Sequence, residues 1–146
     1  ADEPKMTTAR MLAEAGHDSA GKKTRYVYDF ANLADKSGRI SRVKVTPAGP
    51  LPWSGAAGAV VTGELLHIAA LRYPHGAALS VNASPAERFV FVAAGALRGE
   101  IDGQPVTIGP RSIAHVPSGV RHGFAAAGDG DALVVVVQDN RFEFEA

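Results

Sequence analysis

Residues 109–124, GPRSIAHVPSGVRHGF, carry the tightest backbone constraint in this chain. Alternation and β-branched content over residues 112–116 predict a strand, and Pro117-Ser118-Gly119 predicts the turn that ends it. Proline fixes φ and glycine reaches dihedrals closed to other residues, so the direction of the chain beyond this turn is narrowly specified. His122, three residues past Gly119, is thereby aimed back across a β-sheet.

The rest of the sequence supplies one. Sixteen glycines and nine prolines are spread along 146 residues, which fits many short strands joined by tight turns and not a helical bundle. Residues 88–93, RFVFVA, alternate so that Phe89 and Phe91 share one face while Arg88, Val90 and Val92 share the other; one face must therefore receive an arginine. Residues 97–101 and 106–108 flank Asp102-Gly103, the favoured pair for a two-residue hairpin loop. Residues 133–137, LVVVV, are apolar on both faces and read as a central strand, after a small-residue loop over 125–131. Residues 58–73 give one or two strands with His67 within ELLHIAALRY, and Pro74-His75-Gly76 turns the chain.

The N-terminal third is less regular. Thr7 and Thr8 can cap a short helix that Gly16 ends, giving an N-terminal helical arm, with a polar linker to residue 23. A strand over 24–30 places Tyr26, Tyr28 and Phe30 on one face. A turn at Asp35-Lys36-Ser37-Gly38 and a strand over 40–46 make a hairpin plausible. Residues 47–58, PAGPLPWSGAAG, hold three prolines and the only tryptophan; they are too irregular for regular structure and too apolar for a free linker, so they should lie against the sheet. Trp53 reads either as a packed indole or as a lid over a cavity mouth.

Composition excludes several functions. Fifteen basic and fifteen acidic residues give no net charge, so nothing favours nucleic acid or an anionic membrane as partner. The chain has no cysteine, which removes disulfide and thiolate chemistry and leaves only nitrogen and oxygen ligands for any metal. No apolar run approaches the roughly 20 residues of a membrane-spanning helix, so a soluble domain is expected. The sequence opens ADEPK, a polar start that fits either a chain exported and cleaved after a signal or a trimmed cytoplasmic one.

Pro117, Gly119 and His122 match the P-x-G-x-x-H that closes the second motif of the cupin superfamily, which the chain resembles over roughly residues 60 to 140. The opening of that motif departs from the family, with Arg111-Ser112 in place of Gly-Asp. The frame of the first motif lies at residues 82–95, NASPAERFVFVAAG, where Asn82 and Ser84 stand in the places of the two usual histidines. The usual glutamate position falls on Arg88, with Glu87 one step away. AERFVFVAAG and ALVVVVQDNRFEF are also similar to the non-metal half of two-domain ureidoglycine aminohydrolases, whose metal-binding E-x-H-x3-H pattern is absent here. The resemblance implies an all-β fold, a cupin-type antiparallel β-barrel or jelly roll over residues 24–146 behind an arm over 1–23, and by family analogy a homodimer.

It also implies that His122 points into the barrel, as ligand, acid/base or satisfied core residue. A cupin metal centre takes three or four nitrogen and oxygen ligands, and here only His122 stands in register; Arg88 would oppose a divalent cation. The expectation is therefore no cofactor, with a divalent metal as the minority reading, in a site rebuilt from His67, His75 or His115 with Glu87. If Arg88 faces inward, a pocket of Arg88, His122 and Asn82 suits a small polar anion; if the register is shifted, Glu87 faces inward instead. His67 and Phe124 complete the candidate ligand-binding set. The expected function is binding of a small polar or anionic molecule. The alternative is a small-molecule enzyme, an isomerase, lyase or amidohydrolase-like protein, with His122 as acid/base or metal ligand.

Overall fold

The computed structural model describes residues 23–30 and 38–144. The chain divides into two compact units, Ala1–Lys44 and Val45–Ala146. The described residues hold twelve strands and no helix, and no helix among them is long and apolar enough to cross a membrane. The helix expected near Thr7 and the turn at residues 35–37 lie outside the described residues.

In the first unit, β1 (Thr24–Arg25) pairs with β2 (Ile40–Ser41) in parallel. The expected hairpin is thus corrected, because a hairpin joins antiparallel strands. The strand expected over 24–30 is also shorter than its aromatic alternation suggested. Tyr26 is exposed, while Tyr28 leaves the ladder, its hydroxyl lying 3.0 Å from Ser41 Oγ and 3.1 Å from the Arg25 carbonyl. Ser41 Oγ in turn donates to the Val43 carbonyl, a local side-chain bond that bends the chain where an unbroken strand over 40–46 was expected.

The second unit is built on two sheets. The larger, six-stranded sheet has the order β10 (Ile113–Val116), β7 (Arg88–Ala94), β12 (Ala132–Asp139), β5 (Leu66–Tyr73), β4 (Ala57–Thr62), β3 (Lys44–Ala48). The smaller has the order β6 (Asn82–Ala83), β11 (Arg121–Ala126), β8 (Leu97–Ile101), β9 (Gln104–Ile108). The valine run sits in the interior of the larger sheet between β5 and β7, as its apolar character predicts. The expected closed barrel is corrected to two sheets, because no strand ladder among the described residues joins one to the other. They meet through side chains: Val60, Leu71, Val90, Val92 and Val134 from the larger sheet share one buried core with Leu97, Ile108 and Phe124 from the smaller.

Period-two alternation sorts each strand into an inner and an outer face. On β7 the buried residues are Arg88, Val90 and Val92, and on β12 they are Ala132, Val134, Val136 and Gln138. Each buried valine contributes about 1.5–3 kcal/mol over leaving it exposed, so a one-residue slip that turned this set to water is strongly disfavoured. Residues 102 and 103 both take positive φ, 51° for Asp102 and 75° for Gly103, the geometry of the tight loop read from Asp-Gly. The smaller sheet runs two residues further than expected: β11 continues through Ala125 and Ala126, shortening the loop that follows.

Candidate functional site

The turn at Pro117-Ser118-Gly119 does more than redirect the chain. Gly119 N–H donates to the Ser84 carbonyl at 2.8 Å, and Ser118 Oγ donates to the Pro85 carbonyl. The kink that launches β11 is thereby tied to the segment that launches β7, and one anchor fixes the positions of both His122 and Arg88. His122 then sits opposite Asn82 and Ile101 in the ladders that flank β11.

His122 is fully buried, with no exposed surface. Its Nδ1 lies 3.0 Å from the Val120 carbonyl. A carbonyl only accepts, so Nδ1 carries the proton and Nε2 of the neutral ring is left with its lone pair free to accept. Nε2 is buried and has no hydrogen-bond partner within the chain. Burial holds the imidazole pKa below its usual value; the Val120 bond opposes this and the nearby Arg88 charge reinforces it. The neutral, accepting form is the one the fold favours.

His122 helps line a narrow recess with Trp53, Ser54, Tyr73, Ser80, Gly123 and Phe124, with room for about one water-sized group. The indole of Trp53 meets the imidazole edge-on, 5.8 Å between centroids at 70°, and Phe124 lies at the same separation tilted by 49°. The loop that carries Trp53 is closed on itself. Leu51 N–H donates to the Ala56 carbonyl, Gly55 N–H donates to the Leu51 carbonyl, and Ser54 Oγ accepts from Ala56 N–H. Trp53 is thus a packed indole, and the ring it packs against is that of His122.

Tyr73 was not singled out from the sequence. It is 1% exposed at the end of β5, and its hydroxyl is buried beside Ser54 without completing a hydrogen bond within the chain. Burial pushes the phenol up to about 12, with the Arg88 charge and the Ser54 hydroxyl working against that shift, so it remains a protonated donor. The signal was present: in LHIAALRY, His67, Ala69, Leu71 and Tyr73 fall on one face at period two.

The register between Arg88 and Glu87 comes out with Arg88 inside. Arg88 is 1% exposed and its Nη2 donates to Ser84 Oγ at 3.0 Å. Glu87 lies outside, where its carboxylate meets His115 Nε2 at 2.7 Å and Phe89 stacks on the His115 ring. Glu87 and His115 are thus withdrawn from the interior by alternation along β7 and β10. Asn82 is half-buried at the flank of His122, its amide donating to Ser80 Oγ.

His67 forms a separate polar row. It pairs across to Gln138, which pairs across to Arg88, and all three are buried. Gln138 Nε2 donates to the carbonyls of Phe142 and Glu143, and Phe144 lies on the His67 ring at 4.2 Å between centroids. Burial lowers the His67 pKa, while the Phe142 backbone and Asp139 oppose the change. His75 is exposed on its turn, where its backbone N–H donates to Asp131. Among the described residues no three His, Asp or Glu side chains converge closely enough to hold a metal ion. The rebuilt site weighed from the sequence is therefore not assembled by these groups: His115 and Glu87 face outward, and His67 stands beneath Phe144.

The model of the Cupin domain family matches residues 70–138, from the end of β5 to the end of β12. A search of curated proteins finds no match. Among solved structures, the Cnp3 cupin domain of Schizosaccharomyces pombe aligns at 11% identity and TM-score 0.55, covering 64% of this chain and 67% of that one. An RmlC-like cupin family protein of Methanocaldococcus jannaschii, described as a double-stranded β-helix, aligns at 15% identity and TM-score 0.53, covering 79% and 90%. The hydroxypropylphosphonic acid epoxidase of S. wedmorenis aligns at 16% identity and TM-score 0.53, covering 65% and 55%. Across five of the matching structures the aligned part spans 45% to 67% of the other chain. At these identities the likeness is one of fold. With two sheets packed on one core, a P-x-G-x-x-H kink that buries its histidine between them, and the family match across seven consecutive strands and the end of an eighth, residues 70–138 of this chain belong to the Cupin domain family.

Proposed function

We propose that this chain binds a small polar molecule between its two sheets, beside His122, and does so without the metal ion usual in cupins. The observation that carries the reading is the fully buried His122, which lines the recess and whose Nε2 has no partner within the chain. A buried polar atom left without a partner costs about 1–3 kcal/mol, and a ligand or ordered water that supplies one recovers that loss.

The residues present do not fit the family's metal. The two positions that resemble its histidine places hold Asn82 and Ser84, and Ser84 Oγ already accepts from Arg88. A guanidinium buried at the remaining position repels a divalent cation in a region of low dielectric.

A second reading has its own support. A neutral imidazole and a protonated phenol line one recess, and such a pair can take a proton from a substrate and return one to it. This is the enzyme reading, with His122 as base. As partner, a second copy of the chain is proposed. Phe89 and Ile113 are exposed on the outer face of the larger sheet, in an apolar surface that suits a homodimer.

The test is a thermal-shift screen of small polar compounds on wild-type protein and His122→Ala. The binding reading expects at least one compound to raise the melting temperature of the wild type and not of the variant. If His122→Ala changes only stability and no compound distinguishes the two proteins, the histidine is a core residue and the reading fails.

A further inference from the structure

The recess beside His122 offers two unpartnered polar atoms of opposite character. Nε2 of His122 accepts, because the ring proton is committed to the Val120 carbonyl. The Tyr73 hydroxyl has its donor free: neighbouring Ser54 acts on it by offering its own O–H to the phenol oxygen, and no acceptor within the chain takes the phenol proton. Both residues are at most 1% exposed, and both line the same recess. Arg88 is not among the lining residues, and its Nη2 is engaged by Ser84. The remaining walls are the rings of Trp53 and Phe124, the Gly123 backbone and the hydroxyls of Ser54 and Ser80.

We propose, building on the binding reading above, that the group received here is a hydroxyl, which donates to His122 Nε2 and accepts from Tyr73, so that the ligand is a neutral alcohol or polyol. One oxygen atom that both donates and accepts satisfies the two orphan atoms together, and the space admits a group of about that size. A carboxylate or phosphate oxygen meets Nε2 lone pair to lone pair unless the ring gains a proton. Burial and the Arg88 charge both resist that protonation. Tyr73 thereby becomes a specificity-determining residue: it donates to the same hydroxyl that donates to His122. Discrimination of this kind is strong, because a ligand lacking the hydroxyl leaves two buried polar atoms unpaired.

The test uses the full chain labelled with 15N in its histidine rings, titrated with propane-1,2-diol and, separately, with propionate, in wild type and Tyr73→Phe. The proposal expects the diol to move the His122 Nε2 resonance saturably and propionate to leave it in place. Tyr73→Phe keeps the ring and weakens the diol about tenfold, the loss of one buried hydrogen bond. Where Tyr73→Phe fails to fold, a 13C label at the Tyr73 phenol carbon in the wild type replaces it, and that resonance must move with the diol. If propionate alone shifts Nε2, the hydroxyl assignment is overturned while the binding reading stands. If neither probe moves Nε2, the recess holds only structural water and both readings fall. Equal diol affinity in wild type and Tyr73→Phe removes the tyrosine from recognition.

Discussion

At His122, burial and the charge of Arg88 disfavour the imidazolium, and the Val120 carbonyl favours it only partly. Burial acts on His67 in the same direction. In both cases the folded pKa lies below the unfolded value of about 6.5, so on acidification the unfolded chain takes up protons that the folded chain refuses. Stability is therefore full above the unfolded value and falls as pH drops through it, levelling off below the folded value. The expected outcome is a melting temperature that declines from pH 7 toward pH 5, with a shallower decline in His122→Asn; a flat profile contradicts the burial account. Asp139 lies outside this window, since its pKa is lowered by Arg141 from an already acidic value. A second residue-scale outcome concerns Ser84. Its hydroxyl accepts from Arg88 Nη2 and, at 3.3 Å, from Ala86 N–H, so Ser84→Ala should destabilise by about 1–3 kcal/mol in urea unfolding.

At the scale of the elements, the site depends on close approach of backbones. A Cβ built on Gly123 meets the Ser80 carbonyl oxygen at 2.0 Å, and one on Gly99 meets the Gly123 carbonyl oxygen at 2.0 Å. Gly123→Ala should push β11 from the chain before β6, cost about 2 kcal/mol or more, and displace the adjacent imidazole. Unfolding curves together with the His122 ring resonances check both consequences. Much of this framework was legible in the sequence. The P-x-G-x-x-H kink, the Asp102-Gly103 hairpin, the alternating strand at Arg88 and the valine run each came out as read, because each is a local signal enforced by burial. The register of Glu87 against Arg88 was legible only as two alternatives. It is settled by pairing across strands, with His115 and Glu87 together outside and Ser84 with Arg88 inside. Gln138 and Tyr73 were missed because their roles arise from neighbours distant in sequence, though both lie on faces that simple alternation marks as buried. The β1–β2 pair was misread because a two-residue parallel contact leaves almost no periodic signal.

For the whole molecule, two sheets with one buried core leave the outer face of the larger sheet apolar. Phe89 is 43% exposed and Ile113 62% exposed on that face. If a second copy covers it, Phe89→Lys with Ile113→Lys should convert the protein to a monomer in sedimentation velocity without unfolding it, and a wild-type protein already monomeric contradicts the proposed dimer. The central claim concerns what occupies the interior: an accepting imidazole set among aromatic rings, near a buried guanidinium, awaiting a small polar group and not a cation. Elemental analysis by mass spectrometry of protein purified without chelators or a metal column tests it most directly. The account predicts far less than one transition-metal ion per chain in wild type and no change in His122→Ala, whereas one ion per chain that disappears with His122→Ala contradicts it.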